Sequence, residues 1–584
     1  MVSQLFLLWI LEKRKLYFFF VLKLEIRESS DKEVPMHITC EGRSFDFFDG
    51  ATPQNLWNIV RGTRDNTEAV LADCDGDIID FQTPFKKECT VKWIPLKSPE
   101  AYQAYRRTAI MLLICAVKEV YGENADVKVK HSLGKSIYCE FRDGHIPLQK
   151  ELNRLAERMK MIVNEKRDIT KLMVGKNRAI AFLRMKGRIE DAELLSQLNV
   201  LQLDVDQCGR FIDYFFGPML PDMGFVQCFG LHSYAPGFLL QLPGPGEMTL
   251  SPQKDDPLFA GVFLESQRWS ELIGCHNLAE LNKSIANGSI YDLVATAEAL
   301  QEKKLAELAD LICGQKPSIR LVCIAGPSSS GKTTFMKKLI VQLWVNGVRP
   351  VMLSLDDYFR NRDEMMGENW ENLEALNLSL FEETVSSLLE GKPVHLPHFN
   401  FITGKKEWEE GTVTLGEGQP ILVEGLHALN PELTYFVPGY QCLRVYLSAL
   451  TQLTINDHNR ISTSDSRLLR RLVRDFQFRG NGPEHTLTVW DNVRQGEERN
   501  IFQFQDRANV VFNSALLYEI PVLKKLARPL LESIQPDSLA YGEAKRLLYF
   551  LQPFRELDAS VVPDQSLLRE FVGYKGLGRS FLNR

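Results

Sequence analysis

At 584 residues, the chain has room for about three or four domains of ~150 residues each. A hydrophobic content of 45% and a charged content of 25% describe an ordinary soluble globular protein. The net charge of −6 gives no global drive towards nucleic acid. The 11 cysteines are scattered, with no C-x-x-C pair, which fits reduced cytosolic thiols better than a disulfide framework or a zinc site, so a cytoplasmic location is expected.

Leu5–Leu11 and Leu16–Leu22 are apolar runs split by Glu12, Lys13, Arg14 and Lys15. Neither run spans a bilayer, and no membrane partner is expected. A signal peptide carries its positive charge before the apolar stretch, not inside it. Residues 1–35 are therefore read as an extension, either strand-like or amphipathic, or as translated upstream sequence with the start at Met36.

Residues 36–98 read as a small β-rich module. Thr39–Phe48 holds two short strands around Glu41-Gly42, and Leu56–Val60 is a helical piece. Val70–Cys74, Asp77–Phe81 and Cys89–Ile94 are further strands, with Asp75-Gly76 a hairpin signal. From Pro99 to Tyr121 the apolar spacing becomes helical, with Ala109–Val117 in a core. An α+β unit continues through Val127–Phe141 to the segment DQCGRFIDYFFGPMLP, Asp206–Pro221, and ends near Gly244-Pro245-Gly246.

The order of these two pieces resembles the N-terminal half of threonyl-tRNA synthetases, a TGS domain (36–98) followed by the domain that carries the editing site (99–255). Family editing sites hold metal with an H-x-x-x-H pair and a C-x-x-x-H pair. Here Arg107 and Met111 stand at the first pair, Phe215 and Met219 at the second, and none of the four suits Zn²⁺. His131 stands alone and is read as structural. This half is expected to be an inactive relative used for binding, dimerisation or regulation; nucleic acid is not expected as a partner except through it, and a homo-oligomer is expected.

Residues 256–315 read as a helical connector, with Ile290–Ile312 at helical spacing. The apolar strand Leu321–Ala325 then runs into Gly326-Pro327-Ser328-Ser329-Ser330-Gly331-Lys332-Thr333-Thr334 and a helix. This is G-x-x-x-x-G-K-[ST] in the strand–loop–helix context the motif requires. Its N–H groups form an anion nest, Lys332 can reach the β/γ-phosphates, and the Thr333 hydroxyl can bind Mg²⁺. A second strand, Val351–Leu355, ends in Asp356 and Asp357; a third, Pro420–Val423, ends in Glu424; Cys442–Leu447 and Asn509–Phe512 follow. Alternation with helices predicts a parallel α/β sheet with its ligands at the strand C-termini. Asp356 then lies near Lys332 as a base and a metal contact, and Glu424 is a metal partner. For Asp357 a helix cap is an equal reading. Arg467, Arg470, Arg471 and Arg474 recur at i, i+3, i+4 and i+7, followed by Arg479, and read either as a phosphate-binding lid or as a solvated, salt-bridged helix.

GPSSSGKTT, LDDYF, VEGLHALNPEL and RLLRRLVRDFQFRG resemble, in order and spacing, the uridine kinase and phosphoribulokinase family of P-loop kinases, and residues 316–584 are read as such a domain. The resemblance implies ATP and Mg²⁺, a small-molecule acceptor, Asp356 as base, and Thr333, Asp356 and Glu424 at the metal. It also implies that the P-loop with Arg471 and Arg479 holds the nucleotide, that Arg474 assists catalysis, and that Asp356, Phe399, Glu371 and Arg467 face the acceptor. Phe399 and Gly404 replace the Tyr and His with which uridine kinases read the pyrimidine, and Trp370-Glu371-Asn372-Leu373 replaces the ribose-reading F-D-H-P. Three readings follow: a uridine/cytidine-like nucleoside kinase, a kinase of another small hydroxyl compound as in phosphoribulokinase, and a nucleotide-binding regulator.

Overall fold

The computed structural model describes residues 35–62, 69–252, 257–315, 318–365, 372–400, 403–451 and 453–573. The apolar runs before Met36 and the expected acceptor contact Glu371 lie outside the described residues. Among the described residues, no helix is long and apolar enough to cross a membrane.

The first module is a five-stranded sheet built from Met36–Cys40, Arg43–Phe47, Leu71–Cys74, Asp77–Asp80 and Cys89–Ile94. Its helix is longer than the expected Leu56–Val60, running Pro53–Arg61, because the Thr52 side chain caps the Asn55 N–H and Pro53 opens the first turn. Helix Pro99–Tyr121 is capped by Ser98, and its run Thr108–Val117 is buried throughout. It packs beneath a four-stranded sheet, Gly230–Tyr234, Gly237–Gln241, Ser136–Phe141 and Val127–Leu133. A three-stranded sheet, Thr170–Gly175, Gln202–Cys208 and Phe211–Asp213, lies beside it.

The positions aligned with the editing-site metal come together, and protein fills them. Met111, Phe215 and Met219 are buried in one core cluster. The Arg107 Nε donates to the Pro218 carbonyl at 3.0 Å, and its guanidinium packs on Gly217. His131 stacks on Phe263 with ring centroids 3.5 Å apart, and burial pushes its pKa down to about 3, so it is a neutral packing residue.

The C-terminal half is organised by a five-stranded parallel sheet in the spatial order Val351–Ser354, Ile421–Glu424, Leu321–Ala325, Cys442–Ser448, Val510–Asn513. The connector helix Ile290–Gly314 covers one face by packing Leu305, Leu308 and Ile312 on the P-loop helix Lys332–Val345.

The two halves interlock through a buried charge cluster that sequence order conceals. His458, fully buried and within the C-terminal half, bonds through Nδ1 to Asp213 and through Nε2 to Asp126 at 3.0 Å. Arg188 completes the cluster, at 2.7 Å from Asp213 and 2.5 Å from Asp191. Asn459 donates to the Tyr214 carbonyl and accepts from the Phe216 N–H. Burial disfavours the charged imidazole, but the Asp213 and Asp126 carboxylates override it and raise His458 to about 9, so both ring nitrogens donate.

Two outcomes are expected. His458 titrates above the ordinary 6.5, so its contribution to stability is fully present below about pH 6.5 and is lost as pH rises through about 9. His458→Gln should destabilise by roughly 3 kcal/mol at the low-pH end and flatten the fall in unfolding midpoint across that window; a wild-type profile as flat as the variant's would refute the clamp. Purified protein should contain no stoichiometric zinc, as metal analysis reads it, because Arg107, Met111, Phe215 and Met219 offer no imidazole or thiolate.

Candidate active site

The P-loop leaves the central strand of the sheet, and its shape is fixed by close approach. A Cβ on Gly326 would collide with the Leu447 carbonyl of the neighbouring strand, so only glycine lets the loop turn there. Ser329 has φ 60° and Gly331 φ 92°, conformations that bend successive N–H groups into a cradle. Among the described residues, Ser329 Oγ and Ser330 Oγ are buried without a hydrogen-bond partner. Lys332 opens the helix, and its Nζ rests on the Gly326 carbonyl at 2.8 Å and on Pro327 at 3.5 Å, with no carboxylate to neutralise it in those bonds.

Glu424 closes the adjacent strand. Its Oε1 lies 3.4 Å from the Thr333 hydroxyl and 3.4 Å from the Ser354 hydroxyl. Burial pushes the carboxyl up to about 7; Asp356 and Glu570 add to the shift, while Lys332 and the Thr333 hydrogen bond oppose it. Asp356, one strand further out, keeps contact with the solvent of the cleft, yet the surrounding protein raises its pKa, with Lys332 opposing and Asp357 adding. Two carboxylates driven towards their neutral form beside hydroxyl groups make a hard-oxygen site short of positive charge, which fits Mg²⁺.

Asp357 lies inside the turn Leu355–Tyr358 and does not cap a helix. Its Oδ1 accepts from the Phe399 N–H and contacts His398 Nδ1, each at 3.1 Å, which fastens the hairpin Pro397–Asn400/Lys405–Trp408 beside Asp356. Phe399 itself is 2% exposed and packs edge-on to Phe359, so its ring does not face an acceptor as expected. Gly404 has φ 68°, and a Cβ there would lie 2.8 Å from the Arg362 side chain. Arg362 therefore fills the place where the family resemblance puts a histidine.

The arginine segment also differs from both expectations. Helix Thr463–Phe478 buries Leu468, Leu469, Leu472 and Val473 completely, so it is a core helix, neither a mobile lid nor a solvated rod. Arg467, expected at the acceptor, is 3% exposed and forks onto Glu497 at 2.5 and 2.8 Å. It also donates to the Ser328 carbonyl at 3.1 Å and lies over Trp490. Arg470 is paired with Glu519 at 2.5 Å and reaches the Ser329 carbonyl at 3.3 Å. Arg474, expected in catalysis, closes Nε and Nη2 onto its neighbour Asp475 at 2.9 and 2.7 Å. Arg471 donates to Ser328 Oγ at 2.8 Å, and the exposed Arg479 acts on Asp356 across the cleft. The helix thus braces the P-loop from behind and presents Arg471 and Arg479 to the site. Glu497, whose Oε1 also accepts the Ser328 N–H at 2.8 Å, carries no signal in the sequence, since its position depends on a pairing 30 residues away.

A five-stranded parallel sheet with a P-loop on its central strand and acids at the ends of the next two strands on one side defines a P-loop kinase domain. Comparison with known proteins agrees: residues 321–519 match the family described as Phosphoribulokinase / Uridine kinase family. "Uridine-cytidine kinase C" of Dictyostelium discoideum is 27% identical over 170 residues, 29% of this chain and 33% of that protein. In the N-terminal region, "Threonine--tRNA ligase" of Syntrophotalea carbinolica is 29% identical over 169 residues, 29% of this chain and 26% of that protein. The chain thus spans a quarter to a third of the length of these curated relatives. A solved structure described as a possible uridine kinase from Bacillus stearothermophilus aligns over 36% of this chain and 98% of that one, at 20% identity and a TM-score of 0.25.

Lys332→Ala removes the one side-chain cation that the P-loop itself holds against the phosphates. Turnover with labelled ATP should fall by roughly a hundredfold or more while far-ultraviolet circular dichroism stays unchanged; a folded variant turning over like wild type would remove Lys332 from the mechanism.

Proposed function

We propose that the chain transfers the γ-phosphate of ATP to the 5′-hydroxyl of a nucleoside of the uridine or cytidine kind. The observation that carries this reading is the convergence of Lys332, the Thr333–Glu424 pair and Asp356 on one edge of the parallel sheet. The named activity of the Dictyostelium relative supports the choice of acceptor.

The P-loop N–H groups and Lys332 hold the β- and γ-phosphates. Thr333, Glu424 and Asp356 would hold Mg²⁺, which when bound neutralises charge on the phosphate oxygens. Asp356 accepts the proton of the attacking hydroxyl; its raised pKa brings it closer to the operating pH than a free carboxylate. Asp357 keeps the acceptor hairpin against the strand tip, so that acceptor and phosphate meet at a fixed distance. Arg471 and Arg479 supply charge from the bracing helix.

A second reading, a kinase of another small hydroxyl compound, is favoured by one feature: Phe399 is buried and lacks the Tyr hydroxyl, and Gly404, packed by Arg362, lacks the His ring, so the two polar readers of a pyrimidine that the family resemblance implies are absent at these positions. A panel of nucleosides and sugar phosphates with labelled ATP decides between the two. Asp356→Asn tests the base in either case. A fall in kcat on the order of a hundredfold is expected, with acceptor affinity nearly unchanged, because the loss lies in the transition state; normal single-turnover kinetics would refute the assignment.

A further inference from the structure

The nucleotide-phosphate cradle already has an occupant from the chain itself. The first turn of a helix leaves its N–H groups without intrahelical partners, and in a P-loop these donors receive phosphate. Here the Thr334 N–H, in the first turn of the P-loop helix, donates to Glu570 Oε2 at 3.3 Å. The same oxygen stands 3.9 Å from the position of a Cβ on Gly331, at the loop-to-helix junction. The Glu570 charge is felt by Lys337 and Arg479, both of which it favours in their charged form, and by Glu424, which it disfavours. One carboxylate therefore takes a first-turn N–H that a nucleotide phosphate would take, beside Gly331, and its charge bears on Arg479.

The segment that delivers Glu570 lies beyond residues 321–519 and is held by several buried contacts. Its helix Arg569–Val572 buries Phe571 completely under the Arg470 guanidinium, 5.0 Å from the ring centroid. The Arg569 fork is consumed by the carbonyls of Val562, Pro563 and Gly573. Lys338, from the P-loop helix, donates to the Gln565 carbonyl, and Ser566 meets the Tyr518 hydroxyl at 3.3 Å. Glu570 alone of this helix is half-buried, its neighbours Arg569, Phe571 and Val572 being buried, and it points back at the P-loop. These bonds hold the backbone that carries Glu570.

We propose that Glu570 is a gate on nucleotide affinity, an internal anion that occupies the P-loop's phosphate position and must swing away before a nucleoside triphosphate binds. This rests on the nucleotide-binding reading above. Apparent affinity is the intrinsic affinity scaled by the fraction of molecules in which the cradle is open, so removing the occupant raises it. The negative charge also repels the incoming phosphates, and that repulsion disappears with the charge.

The test is calorimetric titration of the full chain with ATP, and separately with inorganic tripolyphosphate, without an acceptor. Glu570→Gln and Glu570→Ala should each bind both probes about three- to tenfold more tightly than wild type, the opposite of what losing a supporting contact would do. Unchanged or weaker binding in both variants would overturn the gate. If neither variant folds, the structure of the wild type with ATP bound decides: a Glu570 carboxylate displaced from the Thr334 N–H supports the proposal, and one still seated there overturns it. Failure of the kinase reading is distinguishable, since it shows as no phosphoryl transfer to any acceptor while the binding shift persists.

Discussion

A buried guanidinium must find oxygen atoms, and helix Thr463–Phe478 imposes that demand on everything around it. Arg467 and Arg470 lie in the core, where an unpaired charge is untenable, so Glu497 and Glu519 are drawn in from later elements. Arg467 also donates to the Ser328 carbonyl and Arg470 to the Ser329 carbonyl, which makes the P-loop backbone part of the same network. The loop that must receive phosphate is therefore held in shape before phosphate arrives, the condition under which oriented N–H groups stabilise charge most effectively.

The chain just before this helix carries a further buried cation. His458 leaves the kinase half to sit between Asp126 and Asp213 of the synthetase-like half, and a short stretch of sequence thus fastens both halves. Asp465, in the helix's first turn, binds Arg546 of the C-terminal helix Tyr541–Leu551, which also reaches Asp77 of the first module through Lys545. Events in the N-terminal half are connected to the P-loop by packed, charged contacts rather than by a flexible linker. A half in which Arg107, Met111, Phe215 and Met219 stand at the positions aligned with an editing-site metal is linked to the kinase site by these contacts.

The acceptor side shows a different economy. Asp357 spends its carboxylate on holding the hairpin in place, and Asp356 is left to face the cleft. Adjacent residues with the same side chain acquire distinct tasks because the strand end turns one towards the hairpin and the other towards Lys332.

Much of this was legible in the residues. The strand–loop–helix context of Gly326–Thr334 identifies the phosphate cradle on its own, because few other purposes require that glycine spacing ahead of Lys332 and Thr333. Apolar runs placed the strands Leu321–Ala325 and Cys89–Ile94 and the helix Pro99–Tyr121, since periodicity and end-capping are local properties. Acids at strand ends located Asp356 and Glu424. What sequence order could not settle was which side of an element faces what. The arginine helix read as a lid or as a solvated rod, with the lid preferred beside a P-loop, and burial of Leu468, Leu469, Leu472 and Val473 made it neither. Phe399 looked like an acceptor contact until packing on Phe359 enclosed it. The partners Glu497, Glu519 and Glu570 lie far along the chain from the groups they serve, and only the folded sheet and its C-terminal wrap bring those charges within hydrogen-bonding distance.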